Sequence, residues 1–330
     1  MKIKALLAAS AMAAVIFQAP MAAAQETVKV RLDFLPWGIH AALHLASVKG
    51  WFKEAGLNVE ISDGKGSSLT IQQVAAGEVD IGQVQLHAGA TARGQGLPIK
   101  SIAGFVRRGD LGALVPLDSG INTVKDLEGK KVATVAATSL GPTARPFFAA
   151  GGADPDKINL INVDASSQMS TYTSKAVDAV LVTVPLGMAV VADKRPSKAL
   201  LFADVGMNLP SYGLIVSDTT LKNKKDMLRK FVPVAVRAWE YVYDGNPAHL
   251  EEGVKAIITQ RPNDKLDAAV LKAQVEQYKP FLYTEATKGK KLGWQSPEDW
   301  KNTYATLEKV GLIKPGQVPT DYYTNEFVTP

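Results

Sequence analysis

The apolar positions of this 330-residue chain change period several times, and each change marks an element. Val28-Lys29-Val30-Arg31-Leu32 alternates apolar and polar, the period-2 signature of a half-buried strand, and Pro36-Trp37-Gly38 breaks it. The spacing then predicts a helix over 40–55 stopped by Gly56, a strand over 59–61 and a loop at Asp63-Gly64-Lys65-Gly66. Ser67 or Ser68 is expected to cap a helix that ends at Gly77. Strands over 79–82 and 99–105 bracket another helix, which ends at Gly94. This β-α-β-α-β alternation is that of a doubly wound, mostly parallel sheet.

A second α/β unit follows the same logic. Strands are expected over 131–136, 159–163 and 176–182, the last running into Thr183-Val184-Pro185. A helix over 142–150 stops at Gly151-Gly152, and a shorter one covers 168–174. From about Thr219 to Gly311, amphipathic helices with Lys/Glu faces take over. Two extended stretches, Gly112–Val115 and Tyr212–Val216, follow the first and second units respectively. A chain that leaves one unit and later returns needs two crossings, so these stretches are expected to form a paired hinge. Open α/β sheets bind ligands at the carboxyl ends of their strands, where loops feed helix N-termini. Two such sheets facing each other place two rims around one cleft.

The N-terminus bears on compartment. Lys2 and Lys4 precede an apolar run over 5–17, too short to span a bilayer, and Ala22-Ala23-Ala24 offers small residues before Gln25. Residues 1–24 therefore read as a secretory leader cleaved after Ala24, leaving 306 residues, a length that suits two domains. Cysteine is absent, which excludes disulfides, thiolate metal sites, a Cys nucleophile and a lipidated N-terminal Cys. A soluble, unanchored protein of the periplasm is expected. The net charge of +5 falls to +3 when Lys2 and Lys4 leave with the leader. The densest basic cluster, Lys222-Asn223-Lys224-Lys225, reads as a solvated helix start, so no nucleic-acid partner is expected.

Several segments carry a family resemblance. Leu32-Asp33-Phe34-Leu35-Pro36, His40-Ala41-Ala42-Leu43 and Lys49-Gly50-Trp51-Phe52-Lys53-Glu54-Ala55-Gly56-Leu57 resemble the opening of one group of ABC-importer binding proteins. That group serves uptake of nitrate, alkanesulfonates, taurine and the thiamin pyrimidine precursor. Gly77-Glu78-Val79-Asp80-Ile81-Gly82, Asp126-Leu127-Glu128-Gly129-Lys130-Lys131-Val132 and Ala176-Val177-Asp178-Ala179 continue the match in order. Tyr323-Thr324-Asn325-Glu326-Phe327 is similar to the pyrimidine-precursor branch.

The resemblance implies a two-lobed periplasmic binding protein of type II, an α/β fold in which each lobe is a mostly parallel sheet flanked by helices. The lobes are expected at 25–110, 111–212 and, returning to the first lobe, 213–330. It also implies a monomer that captures a small solute by lobe closure and hands it to a membrane permease, with no catalytic residue, metal or cofactor.

Candidate ligand contacts come from the loops. Trp37 can stack on a planar solute and donate through its indole N–H, or pack beneath its loop. His40 matches a His of the pyrimidine-precursor branch, and helix capping is the alternative role. His40 and His44 share a helix face, but no third ligand lies nearby in sequence, so no metal site is expected. Ser67 and Ser68 open one helix; Thr138 and Ser139, followed by Pro142, open another in the second unit. Gln83 and Gln85 offer donors and acceptors after the third strand, while Asp164, Ser166 and Thr183 follow second-unit strands. Arg107, beside Arg108 and Phe105, is placed to clamp a carboxylate or sulfonate, or to pair with Asp110. These residues favour a planar or carboxylate/sulfonate-bearing solute, with a thiamin-type pyrimidine as the alternative.

The resemblance also brings in enzymes that build the thiamin pyrimidine with pyridoxal phosphate through a lysine. An ungapped reading puts Val84 at that lysine's position, and their cysteine-rich motif has no counterpart here. No Gly-x-Ser-x-Gly elbow, His-Glu-x-x-His or phosphate-loop lysine is present.

Overall fold

The computed structural model describes residues 25–328; the leader expected at 1–24 lies outside them. The first sheet holds β1 (Glu26–Arg31), β2 (Leu57–Ser62), β3 (Ile81–Gln85), β4 (Ile99–Gly104) and β10 (Tyr212–Ser217), ordered β2-β1-β3-β10-β4. The second holds β5 (Leu111–Pro116), β6 (Lys131–Thr134), β7 (Asn159–Asn162), β8 (Ala179–Thr183) and β9 (Ser197–Leu201), ordered β7-β6-β8-β5-β9. Helices pack on both, giving the two-lobed α/β architecture.

The sheets are mixed rather than simply parallel. β10 runs against both of its neighbours, β3 and β4, and β5 runs against both of its own, β8 and β9. The reason is geometric. The chain leaves the first sheet at the carboxyl end of β4 and returns to that same rim, where Tyr212 pairs with Gln85 and Gly213 with Gly104. A strand that starts at the rim must run away from it. β5 enters the second sheet likewise, with Leu111 opposite Thr183.

This relocates the crossings. Gly112–Val115 and Tyr212–Val216 are buried strand residues inside their sheets, not hinge segments. The connections lie just before them and run side by side. Val106 N–H donates to the Tyr212 carbonyl (3.0 Å), Ser211 N–H to the Val106 carbonyl (2.8 Å) and Gly109 N–H to Asn208 Oδ1 (2.9 Å).

Local chemistry explains other departures. The helix expected over 40–55 is a 3-10 turn at Gly38–His40, a helix at Ala41–Val48 and a short helix at Trp51–Glu54, because Gly50 sits at φ 74° and turns the chain. The helix Ser67–Ala75 is preceded by Gly66 at φ 129°, so Gly66, not a serine, occupies the capping position. The helix Leu140–Ala150 begins two residues before Pro142.

The helix Lys225–Val242 buries Met227, Leu228, Phe231, Val232, Ala235, Val236 and Trp239, an i, i+3, i+4 stripe. Trp239 stacks on Phe105 with ring centroids 4.5 Å apart, so Phe105 is core rather than ligand-facing. The free edge of β4 is covered by the C-terminal segment: Ser101 N–H donates to the Tyr322 carbonyl and Thr324 N–H to the Ser101 carbonyl. That cover removes an exposed strand edge.

Candidate functional site

The carboxyl ends of the two sheets face each other. From the first lobe come Asp33, Phe34 and Trp37 behind β1, Ser67 at a helix start, Gln85 at the end of β3, and Tyr212. From the second come Thr138, Leu140, Gln168, Val182, Thr183 and Leu186. Together they line an internal cavity of about 30 Å³. That is room for about two waters.

Direct bonds join the rims. Gln85 Nε2 donates to Thr183 Oγ1 at 3.1 Å, and Gln85 Oε1 accepts from the Ser139 hydroxyl. The Ser68 hydroxyl donates to the Thr138 carbonyl at 3.4 Å, and Ser67 Oγ accepts the Gln85 N–H at 3.2 Å. A Cβ on Gly66 would collide with the Ala137 carbonyl, so the two backbones touch only because this residue is glycine. Neighbouring residues on the same loops, among them Leu35, Lys65, Leu69, Asn162, Asp164 and Ser166, line a wider recess of about 350 Å³. That volume lies in the range of small-molecule pockets.

Behind the inner cavity sits a buried polar cluster. Asp33 is 4% exposed; its Oδ1 lies 2.8 Å from His40 Nε2, and its Oδ2 accepts the Tyr212 hydroxyl at 2.9 Å. Trp37 is 3% exposed and edge-on to His40 and Tyr212, and its indole N–H has no acceptor among the described residues. Tyr278 donates to Asp110 Oδ2 at 3.1 Å. Burial pushes the Asp110 carboxyl up to about 7, and the nearby charge of Asp33 adds to the rise. Burial also raises Tyr212 and Tyr278 well above the usual phenol range. His44 is driven well below the usual imidazole value by burial, with His40 and Arg261 adding.

The residues singled out from sequence divide accordingly. Trp37, Ser67, Gln85, Thr138 and Thr183 line the inner cavity, and Ser68 and Ser139 bond across its edge. His40 stands behind Asp33, and Gln83 donates to the Ile39 carbonyl at 3.2 Å, holding the same turn from behind. Asp164 is exposed in the outer recess.

Arg107 is elsewhere. Its guanidinium donates to the Leu282, Lys291 and Trp294 carbonyls and lies 4.6 Å from the Tyr283 ring centroid. Burial lowers it to about 10. Backbone carbonyls of a remote segment, invisible as acceptors in sequence, outcompete the cleft and the Asp110 pairing for this side chain.

Sequence reasoning missed Asp33, Phe34, Gln168, Leu186 and Tyr212. A polar residue immediately after an alternating strand was a usable signal for Asp33. None existed for Tyr212, whose place depends on β10 wedging between β3 and β4.

Comparisons with known proteins agree with this geometry. The alkanesulfonate-binding protein SsuA of Xanthomonas axonopodis pv. citri, solved with MOPS, superposes with a TM-score of 0.69 at 14% identity, covering 92% of this chain and 99% of that one. The formylaminopyrimidine-binding protein of Halalkalibacterium halodurans is 23% identical over 305 residues, 92% of this chain and 91% of its own. A 4-amino-5-hydroxymethyl-2-methylpyrimidine phosphate synthase of Saccharomyces cerevisiae, THI11, is 31% identical over 105 residues, 32% of this chain and 31% of its own. The chain has the periplasmic binding protein fold, and because residues 37–248 match the family described as NMT1/THI5 like, it belongs to that family.

Proposed function

We propose that this protein is the solute-capturing component of an ABC importer, exported to the periplasm, where it closes on a small organic molecule and delivers it to a membrane permease. The observation that carries the reading is the pairing of polar rims across one cleft, Gln85 with Thr183 and Ser68 with Thr138. Each partner belongs to a different lobe, so the bonds form on closure and break on opening. An inner cavity of about 30 Å³ admits no organic solute without separation of the rims. Affinity then reflects contacts made in the closed state less the cost of closing.

The relatives support capture rather than turnover. One binds formylaminopyrimidine and a structural neighbour binds an alkanesulfonate, and both align over most of this chain. The synthase aligns over about a third. Val84, which an ungapped reading puts at the position of the enzymes' lysine, is a fully buried core residue on β3.

The test is solution scattering and thermal melting of the protein from Gln25 onward, with and without a concentrated nutrient extract. Compaction with a raised melting temperature, both reversed by extensive dialysis, is expected. No change in either would overturn the reading.

A further inference from the structure

The second lobe carries a recess of about 470 Å³ at the end of its sheet that points away from the cleft. β5 starts at the cleft rim opposite Thr183 and ends at Pro116, opposite Ser197 at the start of β9. The length of that strand puts the recess about 17 Å from the rim. Its lining includes Leu117, Asp118, Lys175, Lys194 and Arg195, so three cations share it with one carboxylate. None of the three forms an ion pair among the described residues. Asp193 and Lys198, near in sequence, lie outside the lining and offset one another.

Two of the cations are held in ways that packing alone does not require. Lys175 has φ 65° and is the only residue other than glycine at positive φ among the described residues. The first lobe contains the same corner, closed by the same bonds. Glu78 N–H donates to the Gln73 carbonyl as Ala176 N–H does to that of Thr171. Asp80 accepts the Lys29 N–H as Asp178 accepts that of Lys131. At the turn itself the first lobe has Gly77, at φ 75°. An L side chain is strained in this conformation, so the corner by itself calls for glycine. The second lobe keeps a lysine against that strain, with its side chain on the recess.

Arg195 is fixed in place. Its Nη1 donates to the Tyr172 and Val177 carbonyls at 2.6 and 2.8 Å, and the guanidinium lies 4.3 Å from the Tyr172 ring centroid. Those contacts leave Nε and Nη2 without a partner among the described residues. A planar fork anchored on one side and open on the other is pre-organised for an oxyanion. The carboxylate narrows the choice of anion. Asp118 repels a fully ionised sulfate, whereas a hydroxyl can donate to it. A phosphate keeps a P–OH near neutral pH or carries an alcohol on its ester.

We propose that this recess is a second binding site, for a phosphate group: Lys175, Lys194 and Arg195 hold its oxygens, and Asp118 accepts from its P–OH or from the hydroxyl of its ester. The site shares no residue with the solute cleft. A soluble phosphate ester and the headgroup of phosphatidylglycerol offer the same chemistry. Leu117, 60% exposed at the recess, suits the second source by reaching into the lipid.

The test titrates the protein from Gln25 onward with inorganic phosphate, glycerol phosphate and sulfate at fixed ionic strength, reading amide NMR shifts. In parallel the protein is pelleted with vesicles of phosphatidylglycerol or of phosphatidylcholine. Saturable shifts confined to 116–119, 174–176 and 193–197 are expected with phosphate or its ester and not with sulfate. Lys175→Gly should weaken this binding about fivefold or more while raising the melting temperature. A lysine with a structural role alone would not give that pair of effects. Lys194→Gln should weaken binding to a similar degree at an unchanged melting temperature. Pelleting with phosphatidylglycerol alone assigns the site to a lipid headgroup, and saturable shifts without pelleting assign it to a soluble phosphate. Sulfate binding as tight as phosphate binding, full affinity in Lys175→Gly, or neither shifts nor pelleting overturns the proposal and leaves solute capture standing.

Discussion

Gln85 at the end of β3 donates to the hydroxyl of Thr183 at the end of β8, 3.1 Å away across the cleft. The same amide accepts from Ser139, so one side chain is bonded twice to the opposite lobe. Gln85→Ala removes both bonds. Neutral hydrogen bonds contribute about 0.5–1.5 kcal/mol each, so closure should weaken by about 1–3 kcal/mol. Solution scattering should show a more open average shape, and the captured solute should dissociate faster. An unchanged radius of gyration would show that Gln85 does not latch the lobes.

Of the two roles open to Trp37, solute contact or packing beneath its loop, the structure shows packing: it lies among His40, Tyr212 and Tyr278 with almost no exposure. Trp37→Ala should therefore cost about 3–5 kcal/mol of stability without solute, the scale for truncating a buried aromatic. Thermal or urea unfolding measures this directly. A near wild-type midpoint would mean that the side chain serves the cleft alone.

Arg107→Ala should separate structure from binding in the opposite sense. The guanidinium satisfies the carbonyls of Leu282, Lys291 and Trp294, and its loss leaves buried acceptors unpaired at about 1–3 kcal/mol each. Unfolding should come at lower denaturant, while solute affinity in the folded protein stays within about twofold, far below the tenfold that 1.4 kcal/mol represents. Calorimetry on the folded variant decides the second point.

Asp110 and two histidines should shape the pH dependence in opposing directions. Asp110 titrates near 7 in the fold against about 3.9 unfolded, so the native state holds its proton longer, and stability falls as pH rises between those values. His87, lowered to about 4 by burial, and His44, lowered well below normal, bind protons less readily when folded. They withdraw stability as pH falls below about 6.5. Asp110→Asn should gain on the wild type most at about pH 8 and fall more steeply into acid. Gln in place of His87 should flatten the acid limb. Melting curves at several pH values check both signs.

Where the sequence was legible, the signal was periodicity or turn chemistry. Val28 to Leu32 alternates and is a strand; Gly56, Gly77 and Gly152 all sit at positive φ where a turn follows a helix. The rim residues Ser67, Gln85, Thr138 and Thr183 were found because each follows a strand or opens a helix. What stayed hidden depends on partners distant in sequence. Arg107 binds carbonyls some 175 residues away, and Tyr212 reaches Asp33 across 179. Strand direction was hidden for a related cause, since hydrophobic patterning is blind to whether a strand enters its sheet from the rim or from the far side.

The position of β10 between β3 and β4 also sets an order of assembly. The strands of the second sheet follow one another along 111–201, so that lobe can complete itself from one uninterrupted stretch of chain. The first sheet cannot. As the chain emerges from its N-terminus, β3 and β4 are made early, but neither has its inner neighbour until residue 217 is available. Through that interval the older lobe carries bare strand edges on β3 and β4 while the younger one is already whole. Bare edges recruit other chains. A chain released before Tyr212 should therefore aggregate through its first lobe, and refolding from denaturant should protect the amides of β8 before those of β3.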